Sequence, residues 1–179
     1  MAEFEKNLWA PWRMEYIAGL GAPDAGDCFL CRTASRPQDD ERNYVLWRSP
    51  ATITLLNLFP YNSGHLLIAP TAHAAGLEDI PEPKLLELIA RTRDAKLVLE
   101  AALHAQGFNI GINIGHCAGA GLPGHLHIHV VPRWAGDTNF MAVVGDAKVI
   151  PQALAETRRL FLETAAQLGL PRQLADRTP

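Results

Sequence analysis

An alternation of histidine with apolar residues constrains this chain more than any other feature. His125, His127 and His129 are separated by single aliphatic residues, and Val-Val-Pro-Arg follows. Because alternate side chains of a β-strand point to one face, the pattern predicts a strand over residues 125–131 with three imidazoles side by side, about 6.6 Å apart. Imidazole titrates near neutral pH, so such a row suits acid–base or nucleophilic chemistry. A polar strand face is the alternative interpretation.

Length, composition and charge limit the kind of protein. The 179 residues, 48% hydrophobic and 20% charged, predict one globular domain over residues 1–179, with an aromatic-rich arm within residues 1–27. The net charge of −3 argues against a nucleic-acid binder but permits a small anionic ligand. We expect no membrane partner, because apolar runs fall short of a spanning helix and the start is charged. The expected compartment is the cytoplasm.

The spacing of apolar and turn residues predicts an α+β fold. Strands are expected at residues 44–48, 51–56, 65–69, 108–114 and 125–131. Helices are expected at about residues 83–106, ended by Gly107, and at about 151–168, with Pro151 in the first turn and Gly169 at the end. The first helix has an apolar stripe made of Leu85, Leu88, Ile89, Leu99 and Leu103. Hairpin-like spacings and the lack of βαβ alternation favour an antiparallel sheet with helices mainly on one face.

A glycine-rich loop over residues 115–124 leads into the histidine row. Its glycines, Gly119 and Gly121 among them, would let backbone N–H groups approach an anion closely. Many such loops are simple turns, and this one lacks the Gly-Lys-Ser/Thr of a Walker motif. Direct attachment to the histidines favours a phosphate-binding interpretation. His116 within the loop is expected to be solvated.

Three smaller features leave alternatives open. Cys28 and Cys31 have the spacing of a zinc half-site, and two further ligands could come from Cys117 or from histidines such as His73 and His125. Two reduced cysteines near a surface loop are the alternative. His65 taken alone is typical of a surface histidine. Asn57 fits either turn chemistry or a hydrogen bond to a sugar hydroxyl.

Residues 57–70, the glycine-rich loop and residues 125–133 together resemble the histidine triad family of nucleotide hydrolases and transferases. The family signature, three histidines alternating with apolar residues and followed by two more apolar residues, is complete. The resemblance covers about residues 28–145. Residues 8–14 and 130–141 further resemble the bacterial branch that includes diadenosine tetraphosphate phosphorylases. The resemblance implies the family fold, an antiparallel sheet with a long helix and a C-terminal helix.

The resemblance also implies a role for each histidine. His127 would be the nucleophile that attacks the α-phosphorus of a nucleotide and forms a nucleotidyl-histidine intermediate. His129 would contact the phosphate, and His65 would lie beside the nucleophile. His125 would support the site or bind zinc. Independently of the resemblance, a nucleophilic imidazole needs one nitrogen free and the other held by an acceptor, and the carbonyls of a neighbouring strand are the expected source.

Further residues follow from the same resemblance. Asn57 would hold the ribose hydroxyls, and Asn113 would contact the phosphate. A structural Zn²⁺ is implied, with a ligand set made of Cys28, Cys31, His73 and His125. Many relatives carry glutamine where this chain has Gly121, so that phosphate contact must come from the backbone or another side chain. The loop is also one residue longer than in the small nucleoside phosphoramidate hydrolases, and both differences favour the phosphorylase-like branch.

The expected function is a two-step nucleotidyl transfer. An adenine (di)nucleotide is the substrate, and inorganic phosphate or water is the acceptor. The alternatives are a nucleoside phosphoramidate or dinucleotide hydrolase and a nucleotide-binding adaptor with little catalysis. A zinc hydrolase using the whole row is disfavoured, since three imidazoles spread over about 13 Å cannot share one ion with bonds near 2.1 Å. A homodimer is implied, with Trp9, Trp12 or the 85–103 helix as candidate contacts.

Overall fold

A five-stranded antiparallel sheet forms the centre of the protein, here a computed structural model that describes residues 28–137 and 153–173. The strands are β1 (Val45–Arg48), β2 (Thr52–Leu56), β3 (Leu66–Pro70), β4 (Gly107–Ile112) and β5 (Ile128–Arg133). The helices are α1 (Phe29–Ala34), α2 (Glu82–Leu103) and α3 (Leu154–Leu168). The strand order is β1-β2-β3-β5-β4. The predicted α+β class with an antiparallel sheet is confirmed.

The two faces of the sheet are covered unequally. Alternation along the strands sends Leu66 and Ile68 to one face, where α2 packs on β3 and α3 packs on α2 and β1. The opposite face carries Leu55 and Leu67, which pack with Leu30 of the short helix α1. The two long helices therefore share one face, as expected, and α1 covers part of the other.

Helix α2 differs in detail from its prediction. It ends at Leu103, because His104 adopts a left-handed conformation (φ 51°), and Gly107 opens β4 instead of stopping the helix. Ile89 is 60% exposed, so it does not belong to the buried stripe. Buried polar side chains, Glu87 and Asp94 among them, take positions on the inner face that apolar periodicity cannot identify.

The histidine segment also departs from the predicted strand. Strand β5 begins at Ile128, so His125 and His127 precede it and only His129 lies within it. The backbone N–H of Leu126 donates to the carbonyl of Ala74 (2.6 Å), in the segment that follows β3. The expectation of three equivalent imidazoles on one strand face is therefore wrong.

The turn before β3 fixes the position of His65. Gly64 has φ +79°, and a Cβ there would lie 2.6 Å from Cδ1 of Leu103 and 3.1 Å from the ring of Phe161. The positive φ strains any residue with a side chain, and the close approach to α2 and α3 adds to the preference for glycine. The turn thus places His65, which is fully buried, at the start of β3.

Some predictions fall outside the described residues. These are the arm within residues 1–27, the segment 139–141 and the placement of Pro151. Helix α3 ends as expected, with Gly169 in a left-handed conformation (φ 62°). Among the described residues, no helix combines the length and apolar character needed to cross a bilayer.

Candidate active site

Two neighbouring strands bring three histidines into one cluster. His65 directly precedes β3 and His127 directly precedes β5, while His129 pairs with Leu67 across the two strands. Nε2 of His65 lies 2.9 Å from Nδ1 of His129. The ring centroids of His127 and His129 are 4.8 Å apart. The structure therefore joins His65 to the two later histidines, which no local sequence pattern required.

The donors around His65 determine where its proton lies. The backbone N–H of Tyr61 donates to Nδ1 of His65 over 3.1 Å. The side-chain oxygen of Asn57 accepts from the N–H of Phe59, so its amide nitrogen faces the same Nδ1 at 3.2 Å. Nδ1 must therefore offer a lone pair, and the proton of neutral His65 lies on Nε2.

The proton on Nε2 of His65 determines the tautomer of His129. Because Nε2 of His65 donates, Nδ1 of His129 accepts, and the proton of neutral His129 lies on Nε2. That Nε2 is buried and has no hydrogen-bond partner among the described residues. An oriented N–H donor without a partner is a group that an anionic oxygen can satisfy.

His127 has the opposite arrangement. Its Nδ1 lies 2.8 Å from the backbone carbonyl of His125, and a carbonyl can only accept. The proton is therefore on Nδ1, and Nε2 presents its lone pair. The acceptor is the residue two positions earlier in the same segment, so the expectation of a carbonyl from a neighbouring strand is wrong. The side chain is held in the tautomer that a nucleophile needs.

Burial keeps both rings neutral at physiological pH. Burial lowers the pKa of His127, partly opposed by the hydrogen bond to the His125 carbonyl. Burial, and then the neighbouring His127, lower the pKa of His129 to about 4. Neutral His127 has a free lone pair, and neutral His129 has one N–H donor. The pair combines a nucleophile with a hydrogen-bond donor for developing charge.

The glycine-rich loop lies between β4 and this cluster. Gly115 and Gly119 have φ near +79°, and a short 3-10 turn lies between them. The side-chain nitrogen of Asn113 is 3.5 Å from the carbonyl of Gly119, so Asn113 contacts the loop. Gly121 lies further along the loop, in a bend four residues before His125. His116 is exposed, as expected for a solvated loop histidine.

A second cluster joins Cys28, Cys31, His73 and His125. One ligand atom from each residue lies within 4.8 Å of the others. Nδ1 of His125 is 3.2 Å from Sγ of Cys28 and 3.4 Å from Sγ of Cys31, and Nδ1 of His73 is 3.2 Å from Sγ of Cys31. Tetrahedral zinc with its usual bond lengths separates such atoms by about 3.4–3.8 Å. The donor set and its spacing fit zinc.

The tautomer of His125 also fits a metal ligand. Its Nε2 is 2.9 Å from the carbonyl of Pro70, so Nε2 carries the proton and Nδ1 directs a lone pair at the two sulfurs. Burial, together with the hydrogen bond and charge of Cys28, raises the pKa of Cys31 to about 11. A bound cation would offset that penalty. Cys117, the other sulfur candidate, is exposed and lies outside the cluster.

The two clusters meet at one residue. The side chain of His125 belongs to the sulfur cluster, while its backbone carbonyl holds His127. Helix α1 brings the two cysteines to this point, since Cys28 caps its N-terminus and accepts from the N–H of Cys31. Arg48 of β1 ties the other end of α1 to the sheet through the carbonyls of its last turn.

Tyr61 is a site residue that the sequence analysis missed. Its ring centroid lies 4.8 Å from that of His65 and 5.6 Å from that of His129. Residues 61–64 lie between the strands predicted at 51–56 and 65–69, and no pattern in the sequence assigns them a functional role. The one available signal was an aromatic residue in a turn otherwise made of asparagine, serine and glycine.

Known proteins with similar sequences belong to one family. The HIT domain family model matches residues 39–136. Two proteins of Mycobacterium tuberculosis strains, each named AP-4-A phosphorylase, are 42% identical over 162 residues, covering 87% of this chain and 82% of theirs. The Schizosaccharomyces pombe protein named bis(5'-nucleosyl)-tetraphosphatase (asymmetrical) is 33% identical over 93 residues, covering 52% of this chain and 50% of that protein.

Solved structures show the same architecture. A zinc-bound histidine triad family protein from Mycobacterium smegmatis superposes with a TM-score of 0.67 at 27% identity, covering 82% of this chain and 98% of that one. A hypothetical histidine triad nucleotide-binding protein from Sulfolobus tokodaii gives a TM-score of 0.66 at 24% identity, covering 85% and 99%. The second likeness concerns the fold alone.

Proposed function

The chain belongs to the HIT domain family, and on that premise we propose that it cleaves diadenosine tetraphosphate by nucleotidyl transfer through His127. The observation that most directly supports this proposal is the position of two protons. Nε2 of His127 has a free lone pair, and beside it Nε2 of His129 has an N–H without a partner among the described residues. The 42% identity with proteins named AP-4-A phosphorylase, over most of both chains, supports this substrate.

The first step forms a nitrogen–phosphorus bond. Nε2 of His127 attacks the α-phosphorus, the bond from that phosphorus to its bridging oxygen breaks, and ATP leaves with the bond electrons. Positive charge develops on the imidazole, and the carbonyl of His125 stabilises it through Nδ1–H. The N–H of His129 donates to a phosphate oxygen as negative charge grows there.

The second step returns the enzyme to its starting state. An acceptor oxygen attacks the adenylyl-histidine, and the nitrogen–phosphorus bond breaks to release neutral His127. Inorganic phosphate as acceptor gives ADP, whereas water gives AMP. The acceptor's proton is lost to solvent or buffer. A nucleoside phosphoramidate or another dinucleotide would follow the same steps with a different leaving group.

The remaining substrate contacts are proposed as follows. A carbonyl oxygen has two lone pairs, so Oδ1 of Asn57 can accept from a ribose hydroxyl as well as from the N–H of Phe59. Backbone N–H groups near Gly119 and Gly121 would hold phosphate oxygens, in place of a glutamine side chain. Asn113 supports that loop through the carbonyl of Gly119.

We further propose that Cys28, Cys31, His73 and His125 hold a structural Zn²⁺. When bound, the ion supplies a cross-link between α1, the segment after β3 and the segment before β5. The rival use of the histidine row as a zinc site is not supported. Both ring nitrogens of His125 are engaged elsewhere, Nε2 at the carbonyl of Pro70 and Nδ1 at the two cysteine sulfurs, so His125 has no nitrogen left to share an ion with His127 and His129.

We also propose a cytoplasmic homodimer. Two exposed apolar residues, Leu86 and Ile89, lie close together on the outer surface of α2 and favour a contact through that helix. The arm with Trp9 and Trp12, which falls outside the described residues, is the other candidate. Light scattering of the purified protein, compared with a Leu86→Lys/Ile89→Lys variant, decides whether α2 forms the interface.

The decisive experiment follows the products. The protein is incubated with diadenosine tetraphosphate, with and without inorganic phosphate, and nucleotides are separated by ion-exchange chromatography. ADP plus ATP indicates phosphorolysis, and AMP plus ATP indicates hydrolysis. Binding of the dinucleotide without any product in either condition would favour the adaptor alternative and contradict the proposal.

A further inference from the structure

Tyr61 lies against one side of the paired histidines. Its ring is inclined by 31° to that of His65 and by 28° to that of His129, with centroid distances of 4.8 and 5.6 Å. These are the distances and angles of offset aromatic packing. One side chain therefore covers both rings of the hydrogen-bonded pair.

The backbone of Tyr61 contacts the same pair. Its N–H donates to Nδ1 of His65, and this bond places the His65 proton on Nε2. The adjacent residue, Asn62, accepts from the backbone N–H of His65 (3.2 Å). The side chain of Asn62 donates to the carbonyl of Pro132 and to Asp137. The loop that carries Tyr61 is thus fixed to the end of β5.

The exposure of these residues indicates what the ring excludes. His65 is fully buried, whereas Tyr61 is 43% exposed. Tyr61 therefore forms an outer layer between solvent and the histidine pair. Without the ring, water could reach Nε2 of His65 and Nδ1 of His129 and compete with the hydrogen bond that joins them.

We propose that Tyr61 is a positioning residue, which holds His65 and His129 in the tautomers that direct the Nε2–H of His129 at the substrate phosphate. The use of that donor rests on the function proposed above, but the tautomers themselves do not. Tyr61 acts through its ring and its backbone N–H. Its side chain takes no part in proton transfer.

Two other roles for Tyr61 make different predictions. A residue that only stacks on a nucleobase would change KM and leave the histidines unaltered. A merely structural residue would change stability and leave the tautomers of the folded protein unaltered. Among the described residues, the rings packed against His129 are those of Tyr61, His65 and His127, so its titration reports this environment.

The test compares Tyr61→Ala with Tyr61→Phe, using the full chain as purified. Ring ¹⁵N NMR shifts distinguish the two neutral tautomers of His65 and His129, and a pH series gives the titration midpoint of His129. Phe59→Ala is the matched control, since Phe59 is an aromatic of the same loop that is 83% exposed. Turnover and KM are measured on diadenosine tetraphosphate in parallel.

We expect Tyr61→Phe and Phe59→Ala to keep both tautomers and the titration midpoint. In Tyr61→Ala, hydration of the pair should raise the midpoint of His129 by about one unit and mix the tautomers. Turnover should fall about tenfold or more, while KM changes less than about threefold. If the alanine variant does not fold, Tyr61→Val, which is too small to cover both rings, should show the same shifts.

Three results would overturn the proposal. The first is unchanged ¹⁵N shifts and midpoint in the folded alanine or valine variant. The second is equal loss in Tyr61→Phe and Tyr61→Ala, which would assign the effect to the hydroxyl. The third is a change in KM alone. If the wild-type protein does not cleave the dinucleotide, the proposed function fails, and the NMR series still decides the role of Tyr61.

Discussion

At the scale of single residues, the hydrogen-bond partners of the ring nitrogens give each histidine a different chemical role. His127 and His129 are close in sequence, yet one bonds a carbonyl through Nδ1 and the other accepts at Nδ1. The first is left with a lone pair at Nε2 and the second with an N–H there. Burial lowers both pKa values and keeps both rings neutral, so the lone pair and the N–H donor are present together near pH 7.

Removal of the His127 side chain should abolish turnover. His127→Ala is expected to lose at least about 10⁴-fold in kcat, because no other histidine among the described residues presents a free lone pair beside the Nε2–H of His129. Nucleotide binding should persist, since His129 and the loop remain. Product formation by chromatography and dinucleotide binding by calorimetry check this.

The matched control is His104→Asn. His104 is an exposed histidine with φ 51°, a conformation that asparagine tolerates. It should keep wild-type turnover. Substantial activity in His127→Ala would show that another group is the nucleophile.

His129 should make the folded protein less stable in acid. Its pKa is about 4 when folded and near 6.5 when unfolded, so between these values the unfolded chain binds the extra proton. The stability contributed by neutral His129 is complete above about pH 6.5 and is lost as pH falls towards 4. Urea unfolding at pH 7.5, 6 and 4.5 should therefore show a steeper decline for wild type than for His129→Gln. Equal slopes would contradict the half-buried, neutral state of His129.

At the scale of elements, α1 and the segments flanking β3 and β5 meet at the sulfur cluster. None of these segments could hold a metal alone. The α1 segment contributes two candidate ligands, and each of the other two segments contributes one. Cys28 caps α1, and His125 leads into β5 while its carbonyl holds His127. The order of this small region therefore affects the placement of the proposed nucleophile.

Loss of a cysteine ligand should remove the metal and loosen this region. Cys28→Ser is expected to lower bound zinc, measured by atomic emission on the purified protein, from about one ion per chain to far less. The thermal midpoint should fall by several degrees. Cys117→Ser is the control, because Cys117 is exposed and outside the cluster, and it should match wild type. Equal zinc content in both variants would argue against the ligand set.

At the scale of the whole molecule, a buried ion pair ties the end of the described chain to α2. Asp94 is fully buried and pairs with Arg91 at 3.1 Å. The same two side chains bond the backbone N–H and carbonyl of Arg172. Helix α3 therefore packs on α2 while the chain after it is anchored to the same helix.

Asp94→Ala should destabilise the fold markedly. Arg91 would keep a buried charge without its partner, which costs about 3–5 kcal/mol in comparable cases. Urea unfolding measures the change. Lys96→Met, which breaks the partly exposed pair with Glu100, is the control and should change stability by less than about 1 kcal/mol. Similar effects of the two variants would contradict the role given to burial.

The sequence by itself determined the fold class, the family resemblance and the identity of the cysteine and histidine groups. Period-two alternation identifies strands, and the spacing of Cys28 and Cys31 marks a metal half-site, because both depend on residues near each other in the chain. The start of β5 and the inner face of α2 were not determined this way. The first depends on a backbone bond between Leu126 and Ala74, and the second on buried polar partners.

Only the tertiary structure decided how the histidines differ. The backbone N–H of Tyr61 sets the tautomer of His65, and the carbonyl of His125 sets that of His127. The ring of His65, 64 residues away in the chain, sets the tautomer of His129. Proton position depends on which donor or acceptor reaches each nitrogen, and a row of identical side chains carries no information about that. The pairing of β3 with β5 supplies it, by placing His65 against His129 beneath the ring of Tyr61.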